Sequence, residues 1–314
     1  MPRISVVTAT FNGAKFIREQ LDSILNQTLK PDEVIISDDK STDGTFELCS
    51  AYVREHNLTG WKVFQNQRNM GVNKNFRDAL MKSSGDYIFT CDQDDIWLSD
   101  KISSMVSAMN DNPKILLLVS NYIPFRNGEK IERINAHVKN LSRNDGEIIQ
   151  MRLKDYWLGN LRPGCTFCFR RELLERFSVM DISERLHDSM LWKYAIVSDG
   201  LYLINKQLIL YRRHEKNSTN QFSRTPLTLN QRIESSEGEM NFYGKFLEAA
   251  EGLNISAENQ TALRKKIDFY GRRRKVLMKR NPLTTAIFVL MNMKYYPTLR
   301  NALSDIYAVI KLRQ

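Results

Sequence analysis

The chain of 314 residues lacks the features that mark several common protein classes. Its four cysteines show no disulfide framework, and the C-x-x-C pair Cys165 and Cys168 has no second pair to complete a zinc site. Neither a Gly-x-Gly-x-x-Gly run nor a Walker Gly-Lys-Ser/Thr loop is present, which argues against dinucleotide enzymes and P-loop kinases. We therefore expect a reducing compartment. The phosphates of any bound nucleotide would have to be held by groups other than these glycine-rich loops.

Long apolar runs are also missing. The longest candidate, residues 282–293, is shorter than the ~20 residues that a membrane-spanning helix needs. The chain begins Met1-Pro2-Arg3 and enters an apolar strand at once, without the basic and then apolar pattern of a signal peptide. We expect a cytoplasmic protein without a transmembrane segment, in which 42% hydrophobic residues are ample for a core.

Charge is distributed unevenly along the chain. The formal net charge is +10, but the residues from Ala262 onward carry thirteen Lys and Arg against two Asp, a balance of +11. The first 261 residues are therefore close to neutral. Any basic surface for a partner is expected in the C-terminal part.

Short apolar strands alternate with helical patterns in the first two thirds of the chain. Strands are predicted at Ile4–Thr10, Val34–Ser37 and Tyr87–Cys91, each followed by apolar residues at helical spacing. This alternation predicts an α/β fold with a mainly parallel, doubly wound, Rossmann-like sheet. The later pattern is helical alone, so we expect an α/β domain over residues 1–225 and a basic helical extension over 226–314.

Three carboxylates in four positions, Asp92, Asp94 and Asp95, follow the third predicted strand. The polar loops 8–12 and 38–43 follow two other strands, and parallel strands bring such ends to one sheet edge. Crowded carboxylates repel one another unless a cation is bound, and Mg²⁺ or Mn²⁺ prefers oxygen ligands completed by phosphates. The alternative, that Asp94 and Asp95 only cap the next helix, leaves this repulsion uncompensated. We therefore expect a metal–diphosphate site.

Five short motifs occur in a fixed order along the chain. They are Val6-Val7-Thr8-Ala9-Thr10-Phe11-Asn12, Ser37-Asp38-Asp39-Lys40-Ser41-Thr42-Asp43-Gly44-Thr45, Asn69-Met70-Gly71, Asp92-Gln93-Asp94-Asp95 and His187-Asp188. Together they resemble the family 2 glycosyltransferases, inverting nucleotide-sugar enzymes of the GT-A fold, over roughly residues 4–220. Asp-Gln-Asp-Asp-Ile-Trp and Tyr-Arg-Arg-His are most similar to the rhamnosyltransferase branch of bacterial cell-surface polysaccharide synthesis.

The resemblance implies a set of nucleotide-binding residues. Thr8 and Asn12 would border the base and ribose, Asp38 or Asp39 would accept a hydrogen bond from the pyrimidine N–H, Lys74 would approach the nucleotide, and Asp92 would contact the ribose or a metal-bound water. Lys74 has an equally simple reading as a solvated lysine on a helix face.

The resemblance also implies metal and base residues. Asp94, together with Asp95, would hold Mn²⁺ or Mg²⁺ against the diphosphate, and His214 would join them unless it is a surface residue. Asp188 occupies the family's base position and would take the proton of the acceptor hydroxyl; its alternative is a helix cap. The family often has Glu-Asp where this chain has His187-Asp188, which leaves the role of residue 187 open.

The function implied is inverting, metal-dependent sugar transfer to a hydroxyl of a lipid-linked or growing cell-surface glycan. L-Rhamnose from dTDP-rhamnose is the first expectation for the donor. One alternative is a UDP-hexose donor, glucosyl or galactosyl, in capsule, O-antigen or cell-wall synthesis, and residues 124–157, where the choice should lie, give no clear pattern. A non-catalytic nucleotide-sugar or glycan-binding scaffold would be expected to lack an acidic motif, and none is missing.

The C-terminal extension reads as basic amphipathic helices. One apolar face is predicted from Leu263, Ile267, Tyr270 and Leu277, with Arg264, Lys265, Arg272, Arg273, Arg274 and Lys275 elsewhere, and a second stripe from Leu299, Leu303, Ile306 and Ile310. Such helices suit an anionic membrane surface, here the inner face of the cell membrane, where Asp188 would reach a lipid-linked acceptor. The alternative is packing on the catalytic domain or on a second subunit as a homodimer. Nucleic acid is not expected, because aromatic interleaving and a binding motif are lacking.

Overall fold

The structure is a computed structural model that describes residues 2–126, 128–131, 144–153, 162–178, 187–214, 227–249, 255–296 and 298–311. Contacts divide these residues into two compact units: those up to 214 without Leu153, and residues 227–311 with Leu153. The boundary expected between residues 225 and 226 lies outside the described residues. So do residues 132–143 and 154–161 of the region expected to select the donor.

The first unit is built from a mixed sheet with helices. The strands in the described ranges are β1 (Ile4–Thr10), β2 (Glu33–Asp38), β3 (Trp61–Gln65), β4 (Tyr87–Cys91), β5 (Ile96–Trp97), β6 (Leu117–Arg126), β7 (Glu129–Lys130), β8 (Ile148–Gln150), β9 (Phe167–Arg170) and β10 (Leu201–Arg212). The helices are α1 (Ile17–Leu25), α2 (Thr45–Glu55), α3 (Val72–Met81), α4 (Lys101–Asp111), α5 (Arg171–Ser178) and α6 (His187–Val197).

The strand order is β3-β2-β1-β4-β9-β6-β10-β5. Strands β3, β2, β1 and β4 are parallel neighbours, and β6 is parallel to β10, whereas β9 runs against both β4 and β6. The predicted α/β fold is confirmed, but the sheet is less uniformly parallel than expected. Strand β9 begins directly after a 3₁₀ turn at Gly164–Thr166.

The apolar run 115–119 predicts a short buried strand, and the observed strand is longer. Strand β6 continues to Arg126 and pairs with β10 as far as Phe125, although Pro124 suggested the start of a loop. On the side where the pairing with β9 ends at Val119, β7 pairs with β6, and the Pro124 carbonyl accepts from the N–H of Ile131 at 2.8 Å. Proline is tolerated because only one N–H bond is lost, at the end of this short pairing.

The register of the sheet fixes where the functional loops lie. Thr10 at the end of β1 is opposite Asp38 of β2, and Thr8 is opposite Cys91 of β4. All six residues of β2 and all five of β4 are buried, as expected for strands covered on both faces. The loops after β1, β2 and β4 therefore leave the same edge of a rigid core.

The second unit consists of four helices in the described residues. They are α7 (Leu229–Ala249), α8 (Ala257–Met278), α9 (Pro282–Met291) and α10 (Leu299–Lys311). Ser256 caps α8 by accepting a hydrogen bond from the N–H of Asn259 at 3.3 Å. Among the helices that the structure describes, none has both the length and the apolar character needed to cross a bilayer.

A buried carboxylate organises this helical unit. Asp305 of α10 is inaccessible to solvent and accepts hydrogen bonds from Arg273 at 2.7 Å to both oxygens, from Arg232 at 3.1 Å and from Tyr296 at 2.7 Å. The expectation that Arg273 belongs to an exposed basic face is therefore wrong. Helical periodicity could not reveal this, because the partner that draws Arg273 inward lies 32 residues away.

We expect Asp305→Ala to lower the free energy of unfolding by roughly 3–5 kcal/mol, because two guanidinium groups would be left buried without their counter-charge. The control is Asp268→Ala, which breaks an exposed pair with Arg272 and should cost less than about 1 kcal/mol. Urea unfolding followed by helical circular dichroism would measure both. Equal losses for the two variants would contradict the central role of Asp305.

Candidate active site

The loop after β1 is tied to the two other functional loops. The N–H of Asn12 donates to Ser41 Oγ at 2.9 Å, and Asn12 Oδ1 accepts from the N–H of Thr42 at 2.9 Å. Gln93 bonds the backbone of Phe11 twice, accepting from its N–H at 2.9 Å and donating to its carbonyl at 3.1 Å. Asn12 is exposed at this junction, whereas Thr8 is fully buried inside the sheet.

Asp38 and Asp39 are both buried and differ in how their oxygens are used. The Asp38 carboxylate accepts four hydrogen bonds, which fill its acceptor positions; the donors are Thr10 Oγ1, Ser41 Oγ, Ser41 N and Gln65 Nε2. Asp39 accepts three, from Asn66 Nδ2 and from the N–H groups of Met70 and Gly71. Asp39 thus retains one acceptor position, and Asp38 holds the loop in shape.

Lys74 lies on the exposed side of α3. Its Nζ forms an ion pair with Asp78 one turn later, at 3.3 Å, and about half of its side chain is accessible. The structure therefore does not show Lys74 bonded to the loops after β1, β2 or β4. The start of α3 does reach the site, because Gly71 just before it donates to Asp39.

The loop after β4, residues 92–95, is called the acidic loop here, and its carboxylates point in different directions. Asp94 Oδ2 lies 2.6 Å from His214 Nε2, so the structure brings these two predicted metal residues together. The His214 ring stacks on Phe16 with centroids 4.8 Å apart, which fixes its orientation. Asp95 is fully buried and instead accepts a hydrogen bond from the N–H of Arg212 at 2.9 Å.

Asp92 and Asp188 belong to the same carboxylate group. Burial, together with the charges of Asp94 and Asp188, raises the pKa of Asp92 to about 7. Asp188 lies in the first turn of α6, where its carboxylate accepts from the N–H of Ser189 at 2.6 Å. Gly164 packs against it so closely that a Cβ there would stand 3.0 Å from Asp188 Cβ. Asp188, the predicted base, is therefore half-buried beside the acidic loop.

Behind this group lies an inner layer that the sequence did not reveal. Asp92, Asp95 and the buried Cys165 have ligand atoms within 4.8 Å of one another. Burial first, and then the neighbouring carboxylates, raises the pKa values of Asp95 and of the Cys165 thiol. A protonated thiol is a poor ligand for Mg²⁺ or Mn²⁺, so this trio is better described as the support of the site than as its ion-binding face.

Lys101 is the buried cation of that inner layer. It is inaccessible to solvent, its Nζ donates to the carbonyl of Cys165 at 3.1 Å, and it lies 4.4 Å from the centre of the Trp97 ring. Burial lowers its pKa to about 8, while nearby thiols and Asp95 act in the opposite direction. Its position at the start of a helix suggested only an exposed residue, so no sequence signal identified it.

Arg212 is the second functional residue without a predicted role. Its Nε donates to the carbonyl of Asp94 at 2.7 Å, and its guanidinium pairs with Glu19 at 2.8 Å. The same group lies 4.9 Å from the Phe16 ring centre and 4.5 Å from that of Phe125. The Tyr-Arg-Arg-His motif contained the signal, since Arg212 fixes the acidic loop and places His214 beside Asp94.

The donor set fits a divalent cation. A carboxylate oxygen of Asp94 and an imidazole nitrogen of His214 converge at one point, and both ligand types bind Mn²⁺. Asp92 adds a carboxylate whose pKa is raised first by burial and then by the charges of Asp94 and Asp188, and a bound cation would offset those charges. Asp95, the third predicted ligand, points inward to Arg212 and Cys165. Its position suits a role in stabilising the loop better than a role in binding the ion.

The model of glycosyl transferase family 2 matches residues 5–177, a range that contains β1 from its second residue, the whole of β2 to β9 and the acidic loop. The chain belongs to glycosyl transferase family 2. Among curated relatives, the dTDP-rhamnosyl transferase RfbG of Shigella flexneri is 31% identical over 221 residues, which cover 67% of this chain and 72% of that protein. The family resemblance seen in the motifs is confirmed, and this glycosyltransferase is a transferase enzyme.

Two solved structures share the fold. TarS of S. aureus in complex with UDP-GlcNAc superposes with a TM-score of 0.65 at 16% identity, covering 99% of this chain and 92% of that one. The mannosyltransferase PcManGT from Pyrobaculum calidifontis, in complex with GDP-Man and Mn²⁺, has a TM-score of 0.54 at 18% identity, covering 99% and 81%. These likenesses confirm the predicted GT-A fold of the glycosyltransferase.

We expect Asp94→Asn to weaken Mn²⁺ binding at least roughly tenfold in the presence of dTDP, because a charged ligand is lost from the convergence point. His214→Gln should act in the same direction. Isothermal titration would measure both against Asp100→Asn, whose carboxylate pairs with Lys206 instead. If Asp94→Asn matched the Asp100 control, the ion would have to bind elsewhere.

The buried Lys101 should make the free energy of unfolding depend on pH. Below about pH 8 Lys101 is charged in the folded and the unfolded chain, whereas between pH 8 and 10.5 only the unfolded chain keeps the proton. This residue therefore makes the free energy of unfolding rise over that window, by up to about 1.4 kcal/mol per pH unit. The stability of the natural protein relative to Lys101→Met should increase from pH 8 to pH 10.

Denaturant unfolding followed by tryptophan fluorescence would report this difference, since Trp97 lies beside Lys101. Lys114→Met, an exposed position, serves as the control and should show no such change. A pH-independent difference for Lys101→Met would contradict a lowered pKa.

Proposed function

We propose that this chain is an inverting, metal-dependent glycosyltransferase that moves L-rhamnose from dTDP-rhamnose to a hydroxyl of a lipid-linked or growing cell-surface glycan. The observation that carries the proposal is the meeting of Asp94 with His214 and of Asp92 with Asp188 at the carboxyl edge of the sheet. An acidic pocket of this kind suits a cation that binds a diphosphate. Mn²⁺ or Mg²⁺ is the cofactor proposed.

The choice of donor is supported by the Shigella relative, which is named a dTDP-rhamnosyl transferase. A UDP-hexose donor is the second candidate, because the S. aureus neighbour was solved with UDP-GlcNAc. In either case the pyrimidine N–H would donate to Asp39, which has an acceptor position left, at the junction where Asn12 is exposed. The scaffold alternative is disfavoured because the acidic loop, His214 and Asp188 are all present.

The residues of the chain divide the chemistry between them. Asp188 would take the proton of the acceptor hydroxyl as that oxygen attacks the anomeric carbon from the face opposite the leaving diphosphate. Gly164 allows the Asp188 side chain to pack closely at this position, because a Cβ there would stand 3.0 Å from Asp188 Cβ. Asp94 and His214 would hold the cation, which when bound supplies positive charge to the diphosphate. Arg212 keeps the loop and His214 in place through the Asp94 carbonyl.

The acceptor and location follow from the same proposal. A lipid-linked glycan lies at a membrane, so we propose that the helical extension holds the enzyme at the inner face of an anionic cell membrane. The positive balance of the C-terminal residues supports this placement. A homodimer through the extension is the alternative.

The first experiment is donor hydrolysis by the purified protein with dTDP- and UDP-sugars, with Mn²⁺ or Mg²⁺ and with chelator. Release of dTDP from dTDP-rhamnose that stops with chelator is the expected result. Release from a UDP-sugar alone would overturn the donor assignment and keep the mechanism. Activity unchanged by chelator would contradict the metal.

We expect Asp188→Asn to lower kcat for glycosyl transfer by roughly 10²–10⁴-fold, because an amide cannot accept the proton of the acceptor. Nucleotide affinity should change little, since the ion-binding residues are intact. Asp111→Asn, at the exposed end of α4, is the control. Transfer at the normal rate by Asp188→Asn would remove this residue from the mechanism.

A further inference from the structure

Helix α10 carries its large apolar side chains on the outside. Its buried positions are occupied by Ala302, Asp305, Ala308 and Val309. Leu299 and Leu303, by contrast, are 62% and 51% exposed, and Tyr307 and Ile310 share their side of the helix. A helix that serves only its own unit buries its largest apolar residues. The stripe predicted from the sequence exists, but most of it faces solvent.

Helix α9 repeats this arrangement. It buries Thr285, Phe288 and Val289. It exposes Leu283, Ile287, Leu290 and Met291, which recur at helical spacing, and the last two are 72% and 76% exposed. The two helices pack against each other. Of thirteen large apolar side chains exposed in the described residues, eight lie on α9 and α10, so this is a concentrated surface and not ordinary scatter.

The exposed charges of the segment that carries these two helices have one sign. Five basic residues between positions 279 and 311 are exposed: Lys279, Arg280, Lys294, Arg300 and Lys311. The same segment contains one acidic residue, Asp305, which is buried against Arg273 and Arg232. The exposed charge accompanying the apolar faces is therefore entirely positive.

The arginines of α8 contribute less to this field than their number suggests. Arg272 pairs with Asp268 at 2.8 Å, Arg274 pairs with Glu237 at 3.2 Å, and Arg273 is paired inside the unit. The positive charge of α8 is thus partly neutralised by nearby carboxylates. The apolar side chains that a partner would need are on α9 and α10 instead.

We propose that the outward faces of α9 and α10 form a lipid-docking surface, which enters the interface of an anionic bilayer with its five basic residues at the headgroup level. Apolar residues flanked by Lys and Arg are the composition that such an interface binds. A second copy of the chain fits less well, because a symmetric contact would bring these like charges together. The surface gives the proposed membrane placement its contact residues, and it rests on the proposed function for the identity of the membrane.

The test is flotation of the full chain with vesicles of phosphatidylglycerol in phosphatidylcholine, compared with phosphatidylcholine alone. The double variant Leu290→Gln/Leu303→Gln removes two exposed apolar side chains, and it should lower vesicle binding at least about tenfold. Met81→Gln, at an apolar position in α3 that is 54% exposed, is the control and should bind as the natural protein does. Circular dichroism melting confirms that each variant is folded.

Binding to the anionic vesicles that weakens with salt and is lost in the double variant supports the surface. Undiminished binding by the folded double variant, or equal binding to neutral vesicles, would overturn it. A dimer seen without lipid by sedimentation velocity and abolished by the same substitutions would assign the surface to a second copy and overturn the proposal. Donor hydrolysis in solution is measured on the same samples, so failure of the docking surface and failure of the transferase assignment are distinguished.

Discussion

Repulsion between carboxylates at one sheet edge is the constraint on which the rest of the first unit depends. Two unit charges about 4 Å apart would repel by roughly 4 kcal/mol at the effective dielectric of a protein surface. Asp92, Asp94, Asp95 and Asp188 share this region, where burial and then the neighbouring charges raise the pKa values of Asp92 and Asp95. On the buried side, the backbone N–H of Arg212 and the buried Lys101 partly offset this negative charge. The outer side keeps its negative charge, and that is where a cation and a diphosphate can be recognised.

The alternation of strands and helices could be predicted because it is a local property. Strand β4 and helix α6 begin where the apolar pattern and the motifs place them. The direction of β9 could not be predicted, since it depends on which strands it joins and not on its own residues. Family motifs identified Asp94 and His214, but only three-dimensional structure shows that they meet at 2.6 Å.

Buried charges were the part of the site that sequence reasoning missed. Lys101 begins a helix and Arg212 ends a strand, and both positions are typical of exposed residues. Each is drawn inward by groups distant in sequence, Cys165 and the acidic loop respectively. A charged residue is buried only when partners satisfy it, so its burial is a property of the pair, and a single sequence does not contain the pairing.

Pairing also limits what the positive charge of the extension contributes to the surface. Counting residues gives a strongly basic segment, but a charge that is paired inside the unit contributes little to the field outside it. Asp305 forms ion pairs with two of the arginines, and the exposed Asp268 and Glu237 pair with two more. The segment 279–311, which carries the exposed leucine and isoleucine of α9 and α10, then has five exposed basic residues and a single, buried, acidic one. It is this coincidence of apolar area with one sign of charge, more than the total, that makes a lipid surface the partner to test.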